Sequence, residues 1–148
     1  MSVSQKCQYA LRALFELGKR RLGGVTSVAE IAAAQAIPPR FLECILAELR
    51  HAGFVESRRG VRGGYSLSRG PEQITVGEII RAVDGPVSPV RCGDDLPAAR
   101  CSLAGNCAFL GLWQRAGAAL AGVYDATSLH DLIDEEFAAA GREPTYCI

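Results

Sequence analysis

Nowhere does this chain supply the roughly 20 consecutive apolar residues that a membrane-spanning helix requires. Its longer apolar runs, such as Ala116–Val123, stop well short. The N-terminus is equally poor in secretory character, because Lys6 is followed by Gln8, Arg12 and Glu16 among the apolar positions, which breaks up any h-region. A soluble, cytoplasmic protein with no membrane contact is expected. The chain also lacks a Cys-x-x-Cys pair, a glycine-rich nucleotide fingerprint and any paired acid/base motif. Their absence argues against an enzyme. No internal repeat or low-complexity segment occurs, and neither sign of charge is in surplus, with 16 Lys/Arg against 16 Asp/Glu.

What the chain does have is uneven. Its 148 residues are 49% hydrophobic, enough for one domain with its own core. Residues 1–70 hold 11 Lys/Arg and 5 Asp/Glu, a balance of +6, and residues 71–148 hold 5 and 11, a balance of −6. A basic half facing a polyanion and an acidic half facing elsewhere account for that division better than scatter over a solvated surface.

Hydrophobic spacing predicts an amphipathic helix over Gln5–Leu22, with Tyr9, Leu11, Leu14, Phe15 and Leu22 inward and Gly23-Gly24 as its stop. Ser27-Val-Ala-Glu30 has capping-box spacing and opens a short helix to about Gln35. Pro38-Pro39 opens the next, which runs to about Ala52 with Phe41, Leu42, Ile45, Leu46 and Leu49 on its buried stripe. Two short helices joined by a tight connector outline a helix-turn-helix. Phe54–Ser57 and Tyr65–Ser68 then read as strands around Arg58-Arg-Gly-Val-Arg-Gly-Gly64, a glycine-rich, basic hairpin. Thr75-Val-Gly-Glu78 caps a further helix through about Val83. Residues 86–106 show no apolar period, and a loop of that length is usually functional or disordered. A helix over Ala108–Val123, apolar around much of its circumference, and an acidic helix from Ser128 to about Ala140 complete the chain. The first of these is expected to pack against a second copy.

In a winged helix the second helix of the turn enters the major groove with its N-terminal residues foremost. Arg40 suits guanine or a phosphate, and Glu43 can accept from a cytosine amine; the alternative for both is a solvated helix surface with a weak ion pair. On the wing, one arginine in a narrow minor groove and others on phosphates would use the glycines for close approach, against the alternative of a hairpin made soluble by arginine. The expected DNA-facing set is Ser27, Pro38, Pro39, Arg40, Glu43 and Arg50, with Arg58, Arg59, Gly60, Arg62 and Gly63 on the wing.

Six cysteines are present, and three of them, Cys92-x8-Cys101-x5-Cys107, fall within sixteen residues. Thiolates bind zinc and iron–sulfur centres alike. Structural zinc usually takes Cys pairs two to four residues apart, and none occurs. Wider spacing on a Gly/Asp/Ala loop favours a larger, labile centre one protein thiolate short, with a thiol redox switch or vestigial site, and zinc, as alternatives. Cys44 reads as a core or redox-accessible thiol, Cys147 as part of an unpositioned tail, and His51 and His130 as surface or capping residues.

Taken in order, the motifs resemble one bacterial family. They are Tyr9-Ala-Leu-Arg12, Val28-Ala-Glu-Ile31, Ile37-Pro-Pro-Arg-Phe-Leu-Glu43, Leu49-Arg-His-Ala-Gly-Phe-Val55 and Arg59-Gly-x-x-Gly-Gly-Tyr65-x-Leu67. Thr75–Ile80, Ala82-Val-Asp84, the three cysteines and Leu112-Trp113 extend the series over nearly the whole chain. It is similar to the winged-helix transcriptional regulators of the IscR, NsrR and CymR type, in their three-cysteine branch. The resemblance implies a mainly α fold with a small β-hairpin wing and a long C-terminal dimerisation helix. It implies a homodimer that binds double-stranded operator DNA and regulates transcription, expected here as a repressor, with Glu43 as its specificity residue and Arg59 as its wing arginine. Cys92, Cys101 and Cys107 match the thiolates of a [2Fe–2S] or [4Fe–4S] cluster that senses redox state, nitric oxide or iron–sulfur supply.

Three departures stand out. Leu110 occupies the place of the IscR-type histidine ligand, Gln8 that of the NsrR-type acidic ligand, and the first cysteine gap is longer than the family's usual five. Cys7 or Gln8 of a partner subunit are the candidate fourth ligands, although Cys7 better suits a small, partly buried hydrophobe in a helix. The expected organisation is residues 1–85 as the winged helix-turn-helix, 86–107 as the cluster loop, and 108–148 as dimerisation helix, acidic helix and tail. The rival is a cluster-free member controlled by cysteine oxidation or by a protein partner.

Overall fold

The computed structural model describes residues 2–90, 92 and 101–141. The first helix, α1 (Gln5–Lys19), is opened by Ser4, whose hydroxyl accepts from the Cys7 amide at 3.0 Å. Its buried side is Cys7, Ala10, Ala13, Leu14 and Leu17. The helix ends three residues sooner than its apolar spacing suggests. Arg20 closes it, and Arg21–Gly23 form a 3-10 turn that turns Leu22 fully out to solvent. Leu22 is therefore not a core residue.

Helices α2 (Val28–Gln35) and α3 (Pro39–His51) are joined by Ala36-Ile37-Pro38, and Ala36 takes the left-handed conformation that ends α2. The Ser27–Glu30 capping box is fully formed. Helix α3 buries Leu42, Ile45, Leu46 and Leu49 against α1 and α2. Phe41, expected on that stripe, is 64% exposed. It sits about 100° round the helix from Leu42, and the core-facing arc is already filled by the four aliphatic residues.

The antiparallel hairpin pairs β1 (Val55–Arg58) with β2 (Gly64–Leu67), in the register Val55 to Leu67 and Arg58 to Gly64. Each strand lies one residue nearer the tip than the sequence pattern suggests. A bridge between Thr26 and Tyr65, with both backbone hydrogen bonds at 2.8 Å, ties the hairpin to the chain just before α2. This is a winged helix-turn-helix, mainly α with a two-stranded wing.

After a 3-10 turn at Pro71–Gln73, α4 (Val76–Asp84) packs on α1. Ser4 donates to the Asp84 carboxylate through its backbone amide at 2.8 Å and through its hydroxyl, joining the start of α1 to the end of α4. Helix α5 runs over Leu110–Ala126, starting two residues and ending three residues later than expected, and packs on α4. The two are clamped by Arg81, whose guanidinium donates to both oxygens of Asp125 at 2.7 Å. Helix α6 (Leu129–Ala140) returns to α1, burying Leu129 and Ile133. Only Gly117 of α5 is buried, and Leu112 and Val123 stand open to solvent.

Candidate nucleic-acid interface

A positively charged surface attracts a polyanion only to the extent that its cations are not already neutralised by neighbours. Among the described residues, Lys6, Lys19, Arg20, Arg21, Arg69 and Arg81 are ion-paired with carboxylates. Arg40, Arg50, Arg58, Arg59 and Arg62 make no ion pair among the described residues, and all five are exposed on α3 or the wing. Of the other described arginines, Arg12 donates to the Gln35 carbonyl and Arg115 is exposed on α5 without an ion pair, so the unpaired cations are concentrated on α3 and the wing without being confined to them.

Helix α3 presents Pro39, Arg40 and Glu43 outward from its N-terminal turn, just past exposed Pro38. Arg40 and Glu43 form no ion pair with each other. Arg50, in the last turn of α3, donates to the Ser57 hydroxyl at 3.1 Å and so links α3 to the first wing strand. Ser27 is occupied as the α2 cap, its hydroxyl accepting from the Glu30 amide at 3.3 Å while the Glu30 carboxylate accepts from the Ser27 amide at 2.9 Å. The wing rises beside this face. Gly60 has φ +112°, and a Cβ at Gly63 or Gly64 would collide with the Arg58 or Thr26 carbonyl oxygen respectively. The glycines thus do two jobs, one supplying a left-handed turn and two admitting close backbone packing.

The Thr26–Tyr65 bridge and the Arg50–Ser57 bond are absent from the sequence reading. The first joins residues far apart in the chain and the second spans the turn between α3 and β1, and no local motif signals either. Gly64, expected among the glycines that permit positive φ at the hairpin tip, lies in β2 and packs against Thr26.

The cysteines divide sharply. Cys92 and Cys101 are exposed and Cys107 is half-buried, all as free thiols. Most of the segment between Cys92 and Cys101 lies outside the described residues, as does Cys147. Among the described residues no three ligating side chains come together as a metal site. Cys7 is fully buried against Ile80 and Val87. Burial, reinforced by the Asp84 carboxylate, pushes its thiol up to about 12. That placement fits the hydrophobe rather than the ligand, and of the two neighbours only Gln8 faces out. Leu110 opens α5 and offers no donor. Beyond Cys107, Phe109 stacks on Trp113 with ring centroids 6.2 Å apart.

Residues 3–135 match the family described as "Rrf2: Iron-dependent Transcriptional regulator". The chain belongs to the Rrf2 family. It is 40% identical to the HTH-type transcriptional regulator CymR of Bacillus subtilis over 133 residues, covering 89% of each chain. It is 31% identical to IscR of Escherichia coli over 148 residues, covering 99% of this chain and 90% of that one. The solved structure of B. subtilis CymR, described as the global cysteine regulator of that organism, superposes with a TM-score of 0.74 over 91% of this chain and 98% of its own. That of T. potens IscR does so with a TM-score of 0.72, at 29% identity over 98% and 93%. As a member of the Rrf2 family the chain is a DNA-binding transcriptional regulator and not an enzyme. No helix among the described residues is long and apolar enough to cross a membrane.

Proposed function

We propose that the protein is a homodimeric, operator-binding repressor whose grip on DNA is set by a thiolate-held iron–sulfur centre. The observation that carries the DNA half is the collection of five unpaired arginines on α3 and the wing. Two such faces in a dimer would read two half-sites, with Arg40 and Glu43 directed at base edges and the wing arginines at phosphates and the minor groove. The homodimer is supported by α5, whose apolar side chains find little cover in one protomer.

The chemistry of the donor set suits the sensing half. Cys92, Cys101 and Cys107 are three free thiols on the segment between α4 and α5, two of them open to solvent. When bound, a cluster would supply a charge and ligation state that changes with oxidant, nitric oxide or iron supply. The protein's part is to pass that change on. The segment leaves α4 through Gly85 and Pro86, then Val87 and Pro89 rest on Gly117 of α5. Arg81 and Asp125 clamp the same pair of helices. A shift in the loop would thus be felt at the joint between the winged domain and α5, a two-state element of the kind allostery requires.

A cluster-free reading is favoured by a different observation, the 40% identity to CymR. There the exposed Cys92 and Cys101 would act by thiol oxidation, or a protein partner would take the sensing role.

Operator binding separates the roles of the arginines. Arg59→Ala is expected to weaken binding and to lower the salt slope by about one phosphate contact. Glu43→Ala should relax sequence preference while leaving nonspecific affinity intact. Undiminished affinity of the first variant across a salt titration would remove the wing from the interface. Anaerobic iron and acid-labile sulfide counts separate the two sensing readings.

A further inference from the structure

We propose that Val61, at the tip of the wing, is a specificity-determining residue that reads the minor groove and selects A·T over G·C pairs there, an inference that rests on the wing-to-duplex reading above. The Gly63 amide donates to the Gly60 carbonyl at 2.9 Å, so Val61 and Arg62 are the two central residues of a closed turn and the outermost residues of the hairpin. Val61 is fully exposed, with a relative accessibility of 107%. Turn chemistry does not select it, since central turn positions favour Pro, Gly, Asn, Asp and Ser, and a β-branched side chain is the stiffer choice. Burial does not account for it either.

A single exposed hydrophobe needs no explanation on an ordinary surface. This one stands among Arg58, Arg59 and Arg62, none of which has a carboxylate partner among the described residues. The hairpin is fastened close to its tip, by the Thr26–Tyr65 bridge and by the packing of Gly64 on Thr26, while Gly63 packs on Arg58 and Gly60 across the turn. The tip is therefore presented in a set direction. An apolar tip flanked by cations has the chemistry of a minor-groove probe. Narrow A·T-rich grooves concentrate the negative potential that attracts arginine, and apolar side chains are common partners of the groove. On the groove floor a G·C pair differs from A·T by the guanine 2-amino group. The two methyls of Val61 would crowd that amine and cover a donor without offering it an acceptor. Arginine alone responds to groove width, whereas the valine responds to the floor.

The test starts from a duplex that the wild-type protein enriches from a random-sequence pool. If none is enriched and no gel shift occurs, the DNA-binding reading itself fails. The enriched duplex is then re-synthesised with each A·T pair flanking the half-sites replaced in turn by G·C or by inosine·C, which lacks the 2-amino group. At one or two pairs, G·C is expected to weaken wild-type binding on the order of tenfold and inosine·C to restore it. Val61→Ala and Val61→Thr should each shrink the G·C to inosine·C difference to about twofold or less, the threonine because its hydroxyl can accept from the amine. Neither should change the salt slope, which a lost phosphate contact would lower. Wild-type protein that binds G·C and inosine·C probes alike overturns the proposal, and so does full discrimination retained by either variant.

Discussion

Glu16 lies 4% exposed inside the winged domain. Burial alone would push its carboxyl up. Against that, Arg20 donates to it at 2.6 Å, Gln35 at 2.8 Å, and Lys19 stands nearby at 3.9 Å. These partners win, and the carboxyl is held below its ordinary value of 4.5. A carboxyl with a depressed folded pKa stabilises the fold above its unfolded value and loses that contribution as pH falls through the folded one. Urea unfolding between pH 7 and pH 3 should therefore show an acid-side loss of stability that Glu16→Gln flattens, and Glu16→Ala should cost about 1–3 kcal/mol at neutral pH. An unchanged acid limb in the glutamine variant would contradict the assignment. At this scale the sequence is informative about types more than about environments. Arg40, Glu43 and the wing arginines stand where their spacing places them, exposed on one side. Phe41 and Leu22 do not, because helical periodicity ranks a hydrophobe by angle and cannot see when the core arc is already full or the helix has stopped.

Among elements, the capping boxes at Ser27–Glu30 and Thr75–Glu78 are the most legible features, since each is a local contact three residues long and both form. The order helix, turn, helix, hairpin follows from them together with the proline and glycine punctuation. What the pattern could not supply is how the hairpin is fastened. That depends on Thr26 and Gly64, thirty-eight residues apart, and glycine in a tip reads as freedom rather than as a packing requirement. Gly64→Ala forces a Cβ into the Thr26 carbonyl oxygen. It is expected to cost about 1–3 kcal/mol and to weaken operator binding beyond that loss by displacing the wing. Thermal unfolding and a binding isotherm below the transition would separate the two effects. Wild-type affinity in a destabilised variant would show that the wing's position does not matter to DNA.

For the whole molecule, the sequence pointed to a helix too apolar for one small protomer to cover. In the structure α5 buries Gly117 alone, leaving Leu112 and Val123 exposed. Val123→Asp should convert a dimer to a monomer in light scattering and weaken binding to a two-half-site duplex while sparing a single half-site. A wild-type protein that is monomeric at micromolar concentration would contradict the paired-domain account. The three cysteines are the part least readable in advance, because thiol spacing names a class of centre without fixing its geometry or its fourth ligand.

The central claim is that the state of the three-thiol centre governs the hold on DNA, and the most direct measurement compares one oxygen-protected preparation before and after its iron is removed. Affinity for the enriched duplex would be read beside iron and acid-labile sulfide content. The account predicts that iron and sulfide co-purify, that both are lost in Cys101→Ser, and that affinity differs between the loaded and stripped forms by about tenfold or more. A protein that carries neither after attempted reconstitution, or that binds the duplex equally well in both forms, would contradict it.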